Sequence, residues 1–555
     1  MRRETKARLL VGFVLWIGSL VLFPLGYIER LLLFAFFITV PLVLFVVEHP
    51  GRDGETSRLY RMIVRLHLPM AVIGTLSFAY SAGKLAGLLS LSWVLFTCLI
   101  GLYGLLRFLK RGFYFLEEFC IDAGLMYMTL GGFWLAAHRF GFDVMNFGSL
   151  IILLTAIHFH YSSLAVPIFT GLLGRTMEKT KLYRWMAAGN VISPLLIAVG
   201  ITYSRTVEWL AVIFFACCLL VYVYYTFRMI CVEKKGGFTK ASLTLSSLSL
   251  LLTMGFAVSY GIGRGFGIQW VSIPTMVLIH GTGNTFGFVF LGLLAWTSIR
   301  PEARTSASGI PYSRLYGQWK IGAEFLKQAG WLDTSRKPVR GLVDDFSMYE
   351  NRQFQPSRLH VCIRDFYERT LTYELTARVR WLRGFAFLSR LYKPVAEKIE
   401  QLNLPLNDEE EQVMEGTIVP VNSERDGRQN VRAWIRKDCV TGKTIFVAAY
   451  SHHTYEAETY MNIALPLPCG NMTGVLRLMH DETDGLILTS VPGNRIKGDE
   501  GIYYVFPYFF LRLPLNETFH VRSGEEESLY ADHRMWIFGI PFLTISYCIK
   551  HKKPS

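Results

Sequence analysis

Residues 30–47 read RLLLFAFFITVPLVLFVV, a run in which Thr39 is the single polar residue after Arg30. As an α-helix rising 1.5 Å per residue, this stretch would cover about 27 Å, close to the ~30 Å hydrocarbon core of a bilayer. Apolar runs of similar length recur through the first 300 residues. We therefore predict ten membrane-spanning helices, at about residues 9–27, 30–47, 68–86, 88–106, 116–138, 147–172, 185–204, 208–227, 242–262 and 271–297.

The composition of the whole chain also indicates an integral membrane protein. Of its 555 residues, 52% are hydrophobic and only 18% are charged, whereas soluble domains are usually about a quarter charged. The formal net charge is +14, and almost all of the basic excess lies in residues 1–300. Because that excess is confined to the loops between apolar runs, it does not indicate a nucleic-acid-binding surface, and we exclude nucleic acid as a partner.

The basic residues of the first 300 positions fall on alternate loops. Twenty lysines and arginines lie on the side of the N-terminus. Five lie on the other side, namely Arg30, Lys84, Arg139, Arg205 and Arg264. Cytoplasmic loops of membrane proteins are enriched in lysine and arginine. The pattern predicts a bacterial cell-membrane protein whose N-terminus and, after an even number of spans, C-terminal half are both cytoplasmic.

Three segments are expected from these patterns: a transmembrane helical domain over 1–300, a polar linker with short helices over 301–356, and a β-rich domain with two leading helices over 357–555. The fold class predicted is a polytopic α-helical membrane domain followed by a cytoplasmic α+β domain.

Several polar side chains lie inside the predicted spans. Ionisable groups within hydrocarbon are costly unless they are paired or hydrated, so such residues are candidates for a functional site. The candidates for binding a solute or ion, or for relaying protons, are Glu118, Asp122, His158, His160, Asn190, His280 and Asn284.

Asp122, His158 and His280 come from three different spans and are expected at similar depths. Imidazole and carboxylate groups suit either a proton relay or a metal site, and the spacing does not decide between them. His158 and His160 are two residues apart and point about 200° apart on a helix, so one of them is expected to be a packing histidine. Asn190 and Asn284 equally suit hydrogen bonds between helices.

One string in the sixth span has a more distinctive form. It runs Thr155-Ala-Ile-His158-Phe-His160-Tyr-Ser-Ser-Leu-Ala-Val-Pro167, with Gly171-Leu-Leu-Gly174-Arg175 after it and His280-Gly-x-x-Asn284-x-x-Gly287-Phe288 later. Together these residues resemble the YndJ-like family of bacterial membrane proteins. The resemblance implies a multi-pass membrane protein, sometimes labelled a transporter, and it assigns no catalytic role to any residue here.

Two helical stretches are predicted near the start of the cytoplasmic half, at about 358–373 and 375–402. The second would place basic side chains on one arc and aromatic side chains on another, as in helices that lie on an anionic membrane surface. The candidate surface residues are Arg380, Trp381, Arg383 and Arg390. An ordinary helix packed on its own domain is the alternative.

From residue 412 the hydrophobic period changes to two, as in Val431-Arg-Ala433-Trp-Ile435-Arg, and turn signals such as Asp426-Gly427 and Asp484-Gly485 follow. Eight to ten short strands in sequence favour an antiparallel meander that closes or half-closes, because closure hides sheet edges. Leu465-Pro466-Leu467-Pro468 and the ending from Ala531 to Phe542 are similar to a β-rich bacterial domain of unknown function.

Three functions fit these features. The leading hypothesis is a transporter-like protein for a small solute or ion, with a cytoplasmic β-domain that binds a ligand or regulates. The second is a membrane-embedded enzyme, with or without a metal ion, acting on a lipid or other apolar substrate. The third is a receptor in which the β-domain senses lipid.

Overall fold

The computed structural model describes residues 3–49, 55–232, 236–303, 309–317, 319–336, 338–382, 384–406, 411–493, 498–525 and 527–552. The chain divides into two compact units, Met1–Ser306 and Ala307–Ser555.

The first unit is helical. Its described residues contain ten helices long and apolar enough to cross a membrane, which confirms the prediction of ten apolar spans. They are α1 (Glu4–Leu22), α2 (Tyr27–Val47), α3 (Arg58–Ala79), α4 (Lys84–Arg111), α5 (Leu116–Phe140), α6 (Gly148–Arg175), α7 (Lys181–Tyr203), α8 (Arg205–Val232), α9 (Gly237–Phe266) and α10 (Ile273–Ile299).

Three of these helices depart from regular α geometry near their middles. A π-helical turn at Ala35–Thr39 interrupts α2. In α6 the backbone bends at Tyr161, between the segments Gly148–His160 and Ser162–Arg175. In α10 two π-helical turns, Val277–Gly281 and Gly283–Phe290, adjoin each other. Such irregular turns leave backbone groups free for other partners and often occur at functional sites.

Glycines bring α4, α5 and α6 close together. A Cβ at Gly104 would lie 2.8 Å from the carbonyl oxygen of Asp122, and one at Gly124 would lie 2.6 Å from that of Leu164. At Gly171 the corresponding distance, to the carbonyl of Glu117, would be 2.3 Å. Small residues let membrane helices approach at backbone distance. The side chains beside these contacts are therefore held in fixed positions.

The described residues of the second unit form twelve strands. They are β1 (Tyr373–Trp381), β2 (Glu411–Pro420), β3 (Arg432–Asp438), β4 (Thr444–Tyr455), β5 (Glu458–Leu467), β6 (Gly470–His480), β7 (Leu486–Thr489), β8 (Gly501–Val505), β9 (Phe510–Arg512), β10 (Leu515–Ser523), β11 (Leu529–Ile537) and β12 (Ile540–His551).

These strands confirm the predicted antiparallel barrel. Ten of them are hydrogen-bonded in the order β5-β4-β3-β2-β1-β12-β11-β10-β7-β6, and the pairing of β5 with β6 closes the ring. Strand β8 pairs with β6, β9 pairs with β8, and Ile502 of β8 lines the interior of the barrel. Closure removes the exposed edges that an open sheet of this length would present.

Four helices of the second unit are described: α11 (Phe325–Gln328), α12 (Val361–Glu368), α13 (Ala386–Ile399) and α14 (Ser423–Asp426). The predicted helix at 375–402 is wrong in its first third, because residues 373–381 form β1, which pairs with both β12 and β2. The alternating burial along β1 fits a strand with one face in the core.

The barrel wall is covered on its outside as well as filled within. Leu315, Phe325 and Trp331, from the segment expected to be a linker, pack on the outward-facing Ala433 and Val447. Both faces of β3 and β4 are therefore buried, and the polar segment 310–332 contributes a second, smaller core.

Candidate functional site

Three arginines and two carboxylates meet in a buried cluster where α4, α5 and α6 adjoin. Arg175 donates to both oxygens of Glu118, each at 2.8 Å, and Arg111 donates to it at 3.0 Å. Arg107 donates to Asp122 at 2.6 Å and lies 3.4 Å from Glu118. All five side chains are at most 7% exposed. We refer to this set as the arginine–carboxylate cluster.

The arginine–carboxylate cluster also reaches a fourth helix, because Arg107 donates to the carbonyl of Val47 at the end of α2. His49, in the loop that follows, is affected by the same charges. Burial, and then the positive charges of Arg111 and Arg107, lower its pKa to about 3. Glu118 and Asp122, which the sequence suggested for solute, ion or proton binding, are thus engaged in ion pairs that join three helices, and Arg107 connects these to a fourth.

His160 lies in the core of the bundle and is hydrogen-bonded at both ring nitrogens. Its Nδ1 lies 2.8 Å from the carbonyl of Ala156, and its Nε2 lies 2.8 Å from the indole Nε1 of Trp93. The indole can only donate, so Nε2 accepts and Nδ1 carries the proton. The ring lies beside the stacked rings of Phe36 and Trp93, with centroids 5.8 and 6.2 Å away. The geometry is that of the packing histidine expected from the sequence.

His158 and His280 face each other, with ring centroids 6.3 Å apart. Each Nδ1 lies within hydrogen-bond distance of a backbone carbonyl: Leu154 at 2.6 Å for His158, and Thr253 at 2.9 Å for His280. Asn284 donates to the carbonyl of His280 and accepts from the hydroxyl of Thr253. His158 is exposed on the surface of the helical unit and His280 is half-buried. Two sequence-predicted histidines therefore form a pair at the π-helical turns of α10.

Asn190 is fully buried in α7 and donates to the hydroxyl of Thr170 in α6 at 2.9 Å. Its position fits the expected alternative, an interhelical hydrogen bond, and separates it from the histidine pair.

Asp122 does not join the two histidines. A Cβ at Gly131 would lie 2.8 Å from His160, so this part of α5 is level with the end of the first segment of α6. Asp122 precedes Gly131 by nine residues, or about 13 Å along the helix axis. Within the described ranges, no group of three or more His, Cys, Asp or Glu side chains is placed to hold a metal ion. The proposed metal set of Asp122, His158 and His280 is not assembled.

The three candidate membrane-surface residues that the structure describes do not share a helical face. Arg380 and Trp381 end strand β1, and the indole of Trp381 donates to the carbonyl of Pro405. Arg390 is exposed on α13, and Arg383 lies outside the described residues.

Helix α13 nevertheless presents apolar side chains to the surroundings. Phe387, Leu391 and Val395, spaced four residues apart along one face, are 67%, 61% and 52% exposed. Phe538 and Ile540, in the hairpin between β11 and β12, are also exposed, and this hairpin lies at the same end of the barrel as Trp381. We call these five side chains the exposed apolar end.

The barrel contains a partly open cavity of about 440 Å³, within the range of ligand-binding pockets in proteins. Its wall is mostly apolar, with contributions from Leu375, Trp434, Phe446, Leu476, Phe519 and Tyr547. Leu388 and Tyr392 of α13 line one end of it. Helix α13 thus borders the cavity with Leu388 and Tyr392 and is exposed elsewhere, and we refer to it as the lid.

Arg436 of β3 faces this cavity and is only 8% exposed. Its guanidinium lies over the rings of Trp434 and Phe446, 4.4 and 4.3 Å from their centroids. The hydroxyl of Tyr547 is its polar neighbour. Burial raises the pKa of Tyr547 above its usual value and that of Tyr450 to about 12, so both hydroxyls stay protonated. A buried cation thus lies in an apolar chamber with neutral hydrogen-bonding groups beside it.

A second polar pair lines the same cavity. His533 Nε2 lies 2.9 Å from a carboxylate oxygen of Glu517, and the imidazole stacks on Phe519. Glu517 therefore has a partner of its own on the β10–β11 side of the cavity.

A ligand-binding β-domain was among the hypotheses from the sequence, but the position of the cavity inside the barrel and the role of Arg436 in its wall were not anticipated. The alternation Val431-Arg-Ala433-Trp-Ile435-Arg predicts a strand but does not show which of its two faces points inward. Ala433 and Ile435 pack under the outer cover, whereas Trp434 and Arg436 point inward. The signal was present, because a strand whose two alternating faces both carry large side chains is typical of a wall buried on both sides.

Comparison with known proteins gives a consistent assignment. The family described as YndJ-like protein matches residues 30–288. The protein described as "Uncharacterized membrane protein YndJ", from Bacillus subtilis (strain 168), is 36% identical over 524 residues, which are 94% of each chain. No solved structure matches. Since that similarity extends through both the helical unit and the barrel, the chain belongs to the YndJ-like family of membrane proteins.

Proposed function

We propose that this multi-pass membrane protein binds an amphiphile from the bilayer, a lipid or a free acyl chain, within its β-barrel. The observation that carries the proposal is the partly open, mostly apolar cavity of about 440 Å³ inside the barrel. Transferring a methylene group from water to apolar surroundings contributes about 0.8 kcal/mol, so a chamber with this lining retains an alkyl chain that water would not. In this proposal the barrel is the ligand-binding part and the ten helices place it at a membrane.

The lid supports entry of the ligand from a bilayer. Contiguous exposed apolar side chains on a folded protein mark sites of contact with proteins or membranes. Most of the exposed apolar end lies on α13, the helix that also lines the cavity. An alkyl chain that leaves a leaflet would therefore pass from the lipid to α13 and then to the barrel interior. The arginine Arg390 on α13, together with Arg380 at the end of β1, suits the anionic inner leaflet, in keeping with a cytoplasmic barrel.

Photolabelling of the full-length protein in nanodiscs tests the proposal. Two probes of equal length carry a diazirine on the alkyl chain, one a fatty acid and one the corresponding alcohol, and labelled peptides are mapped by mass spectrometry. We expect at least one probe to label β3, β4, β6 or β12.

A variant that fills the cavity is the matched test. Ala448 is 1% exposed and lines the cavity wall, so Ala448→Phe should reduce labelling of these strands severalfold. Val440→Phe adds the same ring at a position that is 89% exposed and should leave labelling unchanged. Labelling confined to the membrane helices, or equal in Ala448→Phe and the parent protein, would refute barrel binding.

A second candidate function, transport of a solute or ion by the helical unit, is favoured by the histidine pair at the irregular turns of α6 and α10. Polar side chains at broken helices are typical of transport sites. Protons are the probe: proteoliposomes holding a pH-sensitive dye should show proton flux under an imposed membrane potential. His158→Gln and His280→Gln should each reduce that flux. Flux equal in the variants and in the parent would remove this candidate.

A further inference from the structure

We infer that Arg436 is the head-group site of the barrel and that the bound amphiphile is an anion, carrying a carboxylate or phosphate on its apolar chain. This inference rests on the proposed function, since it assigns a ligand class to the cavity described above.

The position of Arg436 is costly for a side chain with no ligand to meet. It is 92% buried, it lines a mostly apolar chamber, and it lies between two aromatic rings. Burying a charge is unfavourable unless the charge is paired and hydrogen-bonded. Cation–π contacts with Trp434 and Phe446 offset part of this cost and hold the guanidinium in place, but they leave its hydrogen-bond donors to be satisfied.

Those donors are incompletely used. Within the described part of the chain, Nε of Arg436 has no hydrogen-bond partner, and no carboxylate lies within 4.0 Å of the guanidinium. The nearby Glu517 is paired with His533. The neutral hydroxyl of Tyr547 provides no countercharge. An anion entering the cavity would therefore supply the missing partner.

The fork of the guanidinium defines the chemistry of that anion. Arginine presents parallel N–H groups that match two oxygens of a carboxylate or phosphate. The protonated hydroxyl of Tyr547, beside Arg436, would donate a further hydrogen bond to the same head group. Glu517 disfavours an anion on the β10–β11 side, so the head group is directed toward β3 and β12.

The head group has to provide most of the selectivity. An alkyl chain that leaves a bilayer for the barrel exchanges one apolar environment for another, so its transfer contributes little net free energy. Arg436 then decides which of the many chains in a membrane is retained.

Competition experiments on the full-length protein in nanodiscs test the inference. The probe is the diazirine fatty acid, and the competitors are dodecanoic acid, dodecyl phosphate and dodecan-1-ol at pH 8, with concentrations corrected for uptake by empty nanodiscs. Hydrogen bonds to a charged group imply that the alcohol competes roughly ten- to a hundredfold more weakly than either anion. The two anions distinguish carboxylate from phosphate recognition.

Variants give a second, independent comparison. Arg436→Gln should abolish the preference for anions, and Tyr547→Phe should reduce it severalfold while keeping the fold of the wall. Arg378→Gln removes an exposed arginine of the same barrel and should change nothing.

The possible results distinguish the anionic ligand from the more general proposal that the barrel binds an amphiphile. If acid and alcohol compete equally and Arg436→Gln binds as the parent does, the anionic ligand is refuted while barrel binding stands. If neither diazirine probe labels the barrel, both are refuted. Because the acid–alcohol comparison uses the unaltered protein, a variant that fails to fold does not remove the test.

Discussion

Glu118 is the centre of the arginine–carboxylate cluster, since three arginines approach its two oxygens within 3.4 Å. Each partner comes from a different turn or helix, so the side chain holds α4, α5 and α6 in one arrangement. Removing one partner of a buried ion pair leaves an uncompensated charge in a medium of low polarity, which is far less favourable than removing an exposed one.

Glu118→Gln is therefore expected to lower the free energy of unfolding by about 3–5 kcal/mol, because three arginines lose their shared countercharge. The measurement is thermal or SDS-induced unfolding of the purified protein. Glu55→Gln is the control, since the Glu55 side chain is 71% exposed where it pairs with Arg61 at 3.0 Å, and its loss should cost about 1 kcal/mol or less. Equal losses in the two variants would contradict the central role of Glu118.

Asp481, in the turn between β6 and β7, should make the barrel sensitive to acid. Burial opposes its ionisation, but hydrogen bonds from His520 and from the amides of Gly485 and Thr483 outweigh this and lower its pKa to about 2. The stability from Asp481 is thus complete above its unfolded pKa of about 4 and is lost as the pH falls toward 2.

In Asp481→Asn, unfolding temperatures are expected to depend less on pH between 4 and 2 than in the parent protein, and to be lower at pH 7. Exposed Glu482→Gln serves as the comparison. An unchanged acid profile in Asp481→Asn would show that the turn does not depend on this carboxylate.

At the scale of elements, α13 combines two roles that one short helix rarely has. Leu388 and Tyr392 line the cavity, while the face with Phe387 is exposed. The end of the helix is attached firmly: Gln401, fully buried, exchanges hydrogen bonds with the backbone of Val447 and donates to the carbonyl of Pro466. The helix therefore has a fixed C-terminal end and a first part held by aromatic contacts such as Phe385 with Phe542.

If the exposed apolar end lies on the bilayer, a photoreactive p-benzoylphenylalanine placed at Phe387 should form adducts with lipid in nanodiscs. The same group placed at Glu482, in a turn at the opposite end of the barrel, should form few or none. Mass spectrometry of the adducts is the measurement. Comparable lipid labelling at the two positions would argue against membrane contact by α13.

Helices and strands were predictable from the sequence where a single hydrophobic pattern dominated a segment. The apolar spans fall where expected, with ends shifted by several residues because charged side chains such as Lys181 and Arg58 begin helices rather than loops. Residues 375–402 were not predictable as a single element. Their strand is defined by pairing with β12, some 160 residues later, and no local pattern reports that partner.

Side-chain placement was predictable only where chemistry restricts it. A buried His160 needs hydrogen-bond partners at both ring nitrogens, and it has them. The sequence could not show that Arg107 forms an ion pair with Asp122. Depth along a helix estimated from the rise per residue ignores tilt, so groups assigned to one level differ by two to three turns. The inward face of β3 is determined by the segment 310–332, which packs on the outside of the barrel. Because that segment is mostly polar in sequence, its packing could not be predicted.

At the scale of the whole molecule, the distribution of basic residues predicts the topology. Reporter domains fused after Lys84, Arg139 and Arg264 should all be active outside the cytoplasm, and a reporter at the C-terminus should be active inside it. The physical reason is the fourfold excess of lysine and arginine on the N-terminal side of the spans. One reporter with the opposite activity would reverse the orientation assigned to the neighbouring helices.

The arginine–carboxylate cluster also has a consequence for biogenesis. Arg107 on α4 and Asp122 on α5 are joined across a single tight turn at Gly112, and neither charge is tolerable alone in hydrocarbon. If the ribosome-bound chain released α4 into lipid before α5 was synthesised, the guanidinium of Arg107 would be left unpaired in the hydrocarbon. We expect the two segments to leave the translocon together as a neutralised hairpin, and Arg175 to lock them only when the sixth segment arrives.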